Sequence, residues 1–254
     1  MAGRIRVNGH TVYRPGHMVD PEAMIEIVAP APYVSRGGEK LEEALTAFRI
    51  DPEGKVCLDI GSATGGFTDC LLQCGAERVH CVDVGKGQLD WRLRNDRRVV
   101  VHEELNARYL TPEDIGESVD LVTIDVSFIS LRLILPPLCA LVNEKGDLVA
   151  LVKPQFEAGR EKVGKGGVVR DPTVHLGVLE NLATFVEEET PWRVVAATFS
   201  QLRGSAGNIE FFFHLCRNAP NGTSGRLPVD LTKVVAQAHT LLIENTSSAN
   251  HISS

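Results

Sequence analysis

No stretch of this chain approaches the roughly 20 uninterrupted apolar residues that a membrane-spanning helix needs. Its longest apolar runs, such as residues 148–152 and 211–213, have the length of buried strands. The first residues also lack a basic segment followed by an apolar stretch and a small-residue cleavage site, so a cytoplasmic protein is expected rather than an exported one. A pore former would need spanning strands, an amphipathic segment or an export signal; none is legible, and no membrane partner is expected.

Zinc-type cysteine spacing is missing too. Among the six cysteines, Cys57, Cys81 and Cys216 fall in expected strands, where a free thiol packs as a small hydrophobe. Cys70 and Cys74 lie four apart on an expected helix, but no second pair and no suitably spaced histidines complete a site, so no metal is expected. An excess of positive charge is absent as well, since 26 Lys and Arg face 33 Asp and Glu for a net charge of -7. That argues against indiscriminate nucleic-acid binding. A field screened over ~10 Å still permits a local basic face. Arg4, Arg6 and Arg14 cluster near the start, and Arg160, Lys162, Lys165 and Arg170 share one glycine-rich loop.

What the chain does have is length and apolar content (43% of 254 residues) for one large domain with a small appendage. Ile5–Val7, the pair Asn8-Gly9 and residues 11–13 predict a hairpin, because Asn-Gly supplies the positive φ angles of a tight turn. Residues 24–28 predict one more strand, and Ala29-Pro30-Ala31-Pro32 a stiff linker. From Val56 the pattern alternates. Strands are expected at Val56–Ile60, 78–84, Val99–His102, Val119–Ile124 and 147–152, with helices at Gly66–Gln73, 89–95, 131–141 and 173–188. Such alternation implies a mostly parallel sheet covered on both faces. Residues 192–199 and 210–216 have no helix between them, which predicts an antiparallel hairpin at the sheet edge. The result is a seven-stranded α/β sheet of the Rossmann-like methyltransferase arrangement. After Arg217 the composition turns to Asn, Gly, Ser and Pro, then a helix at 228–244 and a polar, disordered tail of ten residues. The expected organisation is an appendage at 1–30, a linker and leading helix at 31–55, the α/β domain at 56–217 and a C-terminal helix and tail at 218–254.

The run Leu58-Asp59-Ile60-Gly61-Ser62-Ala63-Thr64-Gly65-Gly66-Phe67 sets an acidic strand end, a glycine turn and a helix start in succession. Glycines let backbone amides approach a ligand closely, and a helix start offers unsatisfied N–H groups. The next strand ends at Asp83-Val84, about twenty residues past the turn, where a carboxylate can accept both ribose hydroxyls of an adenosyl group. Three residues separate Gly61 from Gly65, so the turn is not the G-x-G-x-x-G of dinucleotide sites. It suits S-adenosylmethionine, which has no pyrophosphate to cradle. Asn106, after the third strand, can hydrogen-bond the adenine, and Asp125 completes the candidate cofactor residues.

Four polar residues stand where structure alone favours apolar or neutral ones. Asp125 is at the mouth of the fourth strand and Lys153 at the mouth of the fifth, Glu210 precedes Phe211-Phe212-Phe213, and Lys40 lies ahead of the α/β domain. A carboxylate among phenylalanines needs a cationic partner, because burying it unpaired costs several kcal/mol; Lys40 and Lys153 are both candidates. A ribose hydroxyl is a poor nucleophile whose proton must leave as it attacks a sulfonium methyl group. A lysine takes that proton only if its pKa falls from about 10.4 toward neutrality, and burial or a second ammonium pushes it that way. The carboxylates then orient the amines.

These residues, with Ser35-Arg36-Gly37-Gly38-Glu39-Lys40-Leu41, Val82-Asp83-Val84-Gly85-Lys86-Gly87-Gln88-Leu89, Asp125-Val126-Ser127-Phe128-Ile129-Ser130-Leu131, Leu151-Val152-Lys153-Pro154-Gln155-Phe156-Glu157 and Gly207-Asn208-Ile209-Glu210, resemble the TlyA (hemolysin-A-like) family of ribosomal RNA 2′-O-methyltransferases over roughly residues 34–216. Their catalytic domain is FtsJ-like. The resemblance implies a Lys-Asp-Lys-Glu tetrad on Lys40, Asp125, Lys153 and Glu210, with ribosomal RNA or ribosomal subunits as partner and cytidine as target. Family members begin with a complete S4 RNA-binding domain, of which this chain carries only the part around Arg6-Val7-Asn8-Gly9. RNA contacts are therefore expected from Arg4 and Arg6 and from other surfaces, chiefly Arg160, Lys162 and Lys165. The competing readings are a membrane-active hemolysin, after the family's other name, a non-catalytic RNA-binding module, and a methyltransferase of bases or small molecules. The lysines favour a hydroxyl nucleophile over a base nitrogen, which already has a lone pair.

Overall fold

The computed structural model describes residues 5–12, 18–20, 22–27, 31–217 and 229–249. The chain divides into two units, residues 1–32 and 33–254. In the first, β1 (Ile5–Val7), β2 (His10–Val12) and β3 (Ile25–Ile27) form an antiparallel sheet in the order β2-β1-β3. Asn8 and Gly9 adopt φ of 51° and 78°, as a two-residue hairpin turn demands. The Asn8 side chain accepts a hydrogen bond from Met24 N at 2.9 Å, which ties the turn to the approach of β3. Tyr13 and Val28, the outer ends of two expected strands, lie outside the described residues.

The second unit opens with α1 (Arg36–Phe48), capped by the Ser35 side chain, which accepts from Gly37 N. In chain order follow β4 (Val56–Ile60), α2 (Gly66–Gln73), β5 (Arg78–Val82), α3 (Trp91–Arg94), β6 (Val99–His102), α4 (Pro112–Ile115), β7 (Val119–Ile124), α5 (Leu131–Leu138), β8 (Val142–Val152), α6 (Pro154–Glu157), α7 (Pro172–Glu189), β9 (Arg193–Phe199), β10 (Phe211–Cys216) and α8 (Leu231–Ala249). The seven-stranded sheet has the order β6-β5-β4-β7-β8-β10-β9. Its first five members are parallel, and β10 runs antiparallel to both β8 and β9, the edge hairpin that the missing helix implies.

Boundaries moved where chemistry cuts across hydrophobic pattern. β5 stops at Val82 rather than 84, because the Asp83 carboxylate accepts from Gly85 N and turns the chain. α5 carries Pro136 and Pro137 and ends at Leu138, not 141; β8 then starts at Val142, five residues before the expected 147, through the exposed polar run 143–145. α3 is cut to four residues that begin at the Asp90 cap. α8 continues to Ala249 through residues expected in the tail, since that polar run contains neither Gly nor Pro; residues 250–254 lie outside the description.

Strand alternation builds one core on each face of the sheet. Phe211, Phe213 and Leu215 join Leu148, Ala150 and Val152 under α5, α7 and α8. Phe212 joins Val149, Leu151 and Phe67 under α1 and α2. The phenylalanine triplet thus feeds both cores and anchors the strand that Glu210 leads.

Candidate active site

The strand order reverses between β4 and β7, and open α/β sheets hold ligands at the carboxyl ends of strands beside such a reversal. A cavity of about 430 Å³ lies there. Its lining is mostly apolar, with Ile60, Val82, Val84 and Leu105, and its polar members include Asp83, Asn106 and Asp125. Gly61 has φ +81°, and a Cβ at this position would collide with the carbonyl oxygen of Asp125; glycine alone lets the ends of β4 and β7 come this close. Asp83 is held rigidly, its carboxylate accepting from Ala63 N at 2.9 Å and Gly85 N at 2.7 Å, and each oxygen keeps a further lone pair for a ligand. Asn106 accepts from Arg108 N at 3.0 Å, at the head of a 3-10 turn.

Not every expected ligand residue reaches this cavity. Gly61, Ala63, Asp83, Val84, Asn106 and Asp125 line it, whereas Ser62, Thr64, Gly65, Gly66 and Phe67 are not among its lining residues. Packing requires glycine at both Gly65 and Gly66, since a Cβ would strike Leu93 at the first and the Ser35 hydroxyl at the second. Phe67 is buried, its ring 6.2 Å from that of Phe212. Asp59 turns inward. Fully buried, it accepts from Thr68 Oγ1 at 2.7 Å and from Thr123 Oγ1 at 3.1 Å. Burial pushes its carboxyl up to about 7. The strand's last residue, Ile60, takes the lining position, and Asp59, one residue back, points elsewhere.

Leu105, which the sequence did not mark, and Gln88, Val126, Ser127, Phe128 and Ile129, which stood in the family motifs without a ligand role, also line the cavity. Most follow strand ends in loops, where no hydrophobic period marks them. Phe128 is notable for a positive φ of 63° and 91% exposure. An adenosyl group offers an apolar ring, polar ring edges and two vicinal hydroxyls. The apolar lining, the Asp83 acceptors and the Asn106 amide match that set, and the Asp125 carboxylate borders the same cavity. The residues present fit S-adenosylmethionine.

Beside the cavity the four polar residues form two ion pairs. Lys40 Nζ lies 2.6 Å from Glu210 Oε2, with side chains only 10% and 4% exposed. Lys153 Nζ lies 2.6 Å from Asp125 Oδ1 and donates to Ser127 Oγ at 3.0 Å. Of the two lysines open to Glu210, the fold selects Lys40. Register explains the grouping: Phe211 pairs with Val152, so Glu210 and Lys153, one residue beyond each, leave the same end of adjacent strands. On the other side of β8, β7 delivers Asp125. The turn before β10 closes around Glu210, with no room for a Cβ on Gly204 beside its carboxylate.

The basic loop follows Lys153, with Arg160, Lys162 and Lys165 exposed. Its glycines suggest mobility, but the structure anchors it. Gly164 bridges Val168, and the buried Asn208 accepts from Val169 N at 2.9 Å while donating to the Gly167 carbonyl at 2.9 Å. Of the N-terminal basic residues, Arg6 stands in β1 opposite Thr11 and Glu26; Arg4 and Arg14 lie outside the described residues.

The FtsJ-like methyltransferase family matches residues 33–217, which contain the cavity and both ion pairs. The chain is 47% identical over 216 residues to the 16S/23S rRNA (cytidine-2′-O)-methyltransferase TlyA of Mycobacterium tuberculosis, covering 84% of this chain and 80% of that protein. It is 43% identical over 215 residues to Hemolysin A of Brachyspira hyodysenteriae, covering 84% of this chain and 89% of that one. A solved structure from Streptococcus thermophilus that carries a hemolysin name superposes with a TM-score of 0.82 at 42% identity, over 96% of this chain and 89% of the other. By fold, cavity and sequence, the chain belongs to the FtsJ-like methyltransferases, in the TlyA group.

Proposed function

We propose that this protein transfers a methyl group from S-adenosylmethionine to the ribose 2′-hydroxyl of a ribosomal RNA cytidine, in the cytoplasm. The observation that carries the reading is the pair of lysine–carboxylate contacts at the strand ends next to the cavity. S-adenosylmethionine, when bound, supplies an electrophilic methyl group. Asp83 and Asn106 would hold its adenosyl portion, and Asp125 faces both the cavity and Lys153. Lys153 Nζ takes the hydroxyl proton, Asp125 holds the ammonium that results, and Ser127 fixes the direction of the amine. The pair Lys40–Glu210 positions a second amine beside the reacting hydroxyl without leaving a charge unpaired. Comparing 2′-O-methyl sites in ribosomal RNA from cells with and without the gene tests the assignment; identical maps would refute it.

Asp83→Ala should weaken S-adenosylmethionine binding by roughly 1–3 kcal/mol in calorimetry, as for lost hydrogen bonds to a charged group. Unchanged affinity would remove Asp83 from the site. Arg160, Lys162 and Lys165, exposed on the anchored loop that follows Lys153, would neutralise phosphates of the RNA. Changing all three to Glu should weaken RNA binding and lower its salt slope by about one unit per lost contact, with cofactor affinity intact. A triple variant with wild-type affinity and slope would show that RNA docks elsewhere.

The hemolysin names of two similar proteins raise a membrane-active reading. Among the described residues no helix is long and apolar enough to cross a membrane. Release of dye from liposomes by the purified protein would favour that reading.

A further inference from the structure

At the opposite ends of the two strands that deliver Lys153 and Glu210, three metal-ligating side chains converge. Asp147 lies in β8, and His214 and Cys216 lie in β10, two residues apart and so on one face. Cys216 pairs in register with Asp147, which brings the set together across 67 to 69 residues of sequence. Asp147 Oδ1 is 2.8 Å from His214 Nε2 and 3.2 Å from Cys216 Sγ, and that Sγ is 3.2 Å from the same Nε2.

The geometry is convergent, not sequential. A thiol activated by a histidine–aspartate pair needs the two ring nitrogens to face different partners. Here a single nitrogen, Nε2, faces both the carboxylate and the thiol. Burial and Asp147 also push the Cys216 thiol up to about 12, the reverse of a free nucleophile. Lys55 Nζ, 3.5 Å away, meets the other carboxylate oxygen, Oδ2, so it orients Asp147 and leaves Oδ1 directed at the cluster. The Phe48 ring stacks on His214 at 5.5 Å and fixes the imidazole plane. Among the described residues no other three His, Cys, Asp or Glu side chains gather in this way.

We propose that Asp147, His214 and Cys216 bind a zinc-type divalent metal ion that clamps the far ends of β8 and β10. One nitrogen, one sulfur and one oxygen donor suit zinc, with water in the fourth position. Donors at about 2.0–2.3 Å from a tetrahedral ion stand roughly 3.3–3.6 Å apart, so each side chain moves outward by only a few tenths of an ångström. On binding, the thiol proton leaves to solvent, the imidazole carries its proton on Nδ1, and the ion replaces the contacts both protons had made. The clamp serves structure: it holds together the strand pair whose other ends carry the proposed catalytic groups.

The test uses the full chain stripped of metal with a chelator. Zinc titrated against a chromophoric competitor should bind at one equivalent per chain, and cobalt should give the d–d bands of a tetrahedral site with a thiolate charge-transfer band. Cys216→Ser and His214→Gln should each lower zinc affinity more than about 100-fold, and zinc should raise the unfolding midpoint of the wild type but not of Cys216→Ser. Equal zinc affinity in wild type and Cys216→Ser would overturn the proposal. So would a wild-type cobalt spectrum lacking the thiolate band, a result that needs no variant to fold.

Discussion

Lys153→Ala is expected to abolish methyl transfer while leaving S-adenosylmethionine affinity close to wild type. The amine is at Asp125 and Ser127, and Lys153 is not among the cavity-lining residues, so removing it takes away a proton acceptor without emptying the cofactor pocket. General-base catalysis contributes typically 10²–10⁴-fold, and the loss should be at the upper end or beyond because no neighbour can substitute. Lys40, the other amine, is committed to Glu210 at 2.6 Å. Lys153→Arg discriminates between roles. A guanidinium can pair with Asp125 but does not release or take a proton at accessible pH, so an electrostatic role survives the change and a base role does not. Single-turnover methylation of ribosomal RNA measures this directly. An arginine variant with wild-type turnover would leave Lys153 an electrostatic role only.

Glu210→Ala should destabilise the fold by about 3–5 kcal/mol, because it strands the Lys40 ammonium in a site only 10% exposed. For a unit of this size that corresponds to a drop of roughly 6–20 °C in the unfolding midpoint. Removing both charges is a different matter. Lys40→Met combined with Glu210→Leu replaces a buried pair by apolar groups of similar volume, which is often neutral in stability. The double variant should therefore regain most of the lost midpoint and remain inactive in methyl transfer. Stability and activity would then separate at one site, which identifies the pair as functional rather than as a strut. Recovery of activity along with stability would assign it a packing role alone.

The two halves of this outcome follow from different kinds of information. Much of what near neighbours encode was legible in the residues themselves, although turns and caps such as those at Asp83 and Asp90 moved element ends. The apolar period gives β4, β7 and α2, the Asn8-Gly9 dipeptide gives its hairpin, and the absence of a helix before Phe211 gives the antiparallel edge. The polar residues at strand mouths stood out because apolar runs frame them. Where a local pattern was ambiguous, tertiary structure decided. Asp59 and Asp83 both looked like cofactor ligands at strand ends; Asp59, inside β4, turns to Thr68 and Thr123 in the core, whereas Asp83, in the turn just past β5, lines the cavity. Glu210 had two lysines to choose from, 170 and 57 residues away in sequence, and packing of α1 on the sheet selected Lys40. The basic loop looked mobile by its glycines, but Asn208, some forty residues on, anchors it. Asp147, His214 and Cys216 form no recognisable spacing, because only the antiparallel register of β8 and β10 superimposes them. Local propensity acts within a few residues, whereas ion pairing and ligand convergence depend on which strand ends the sheet brings level.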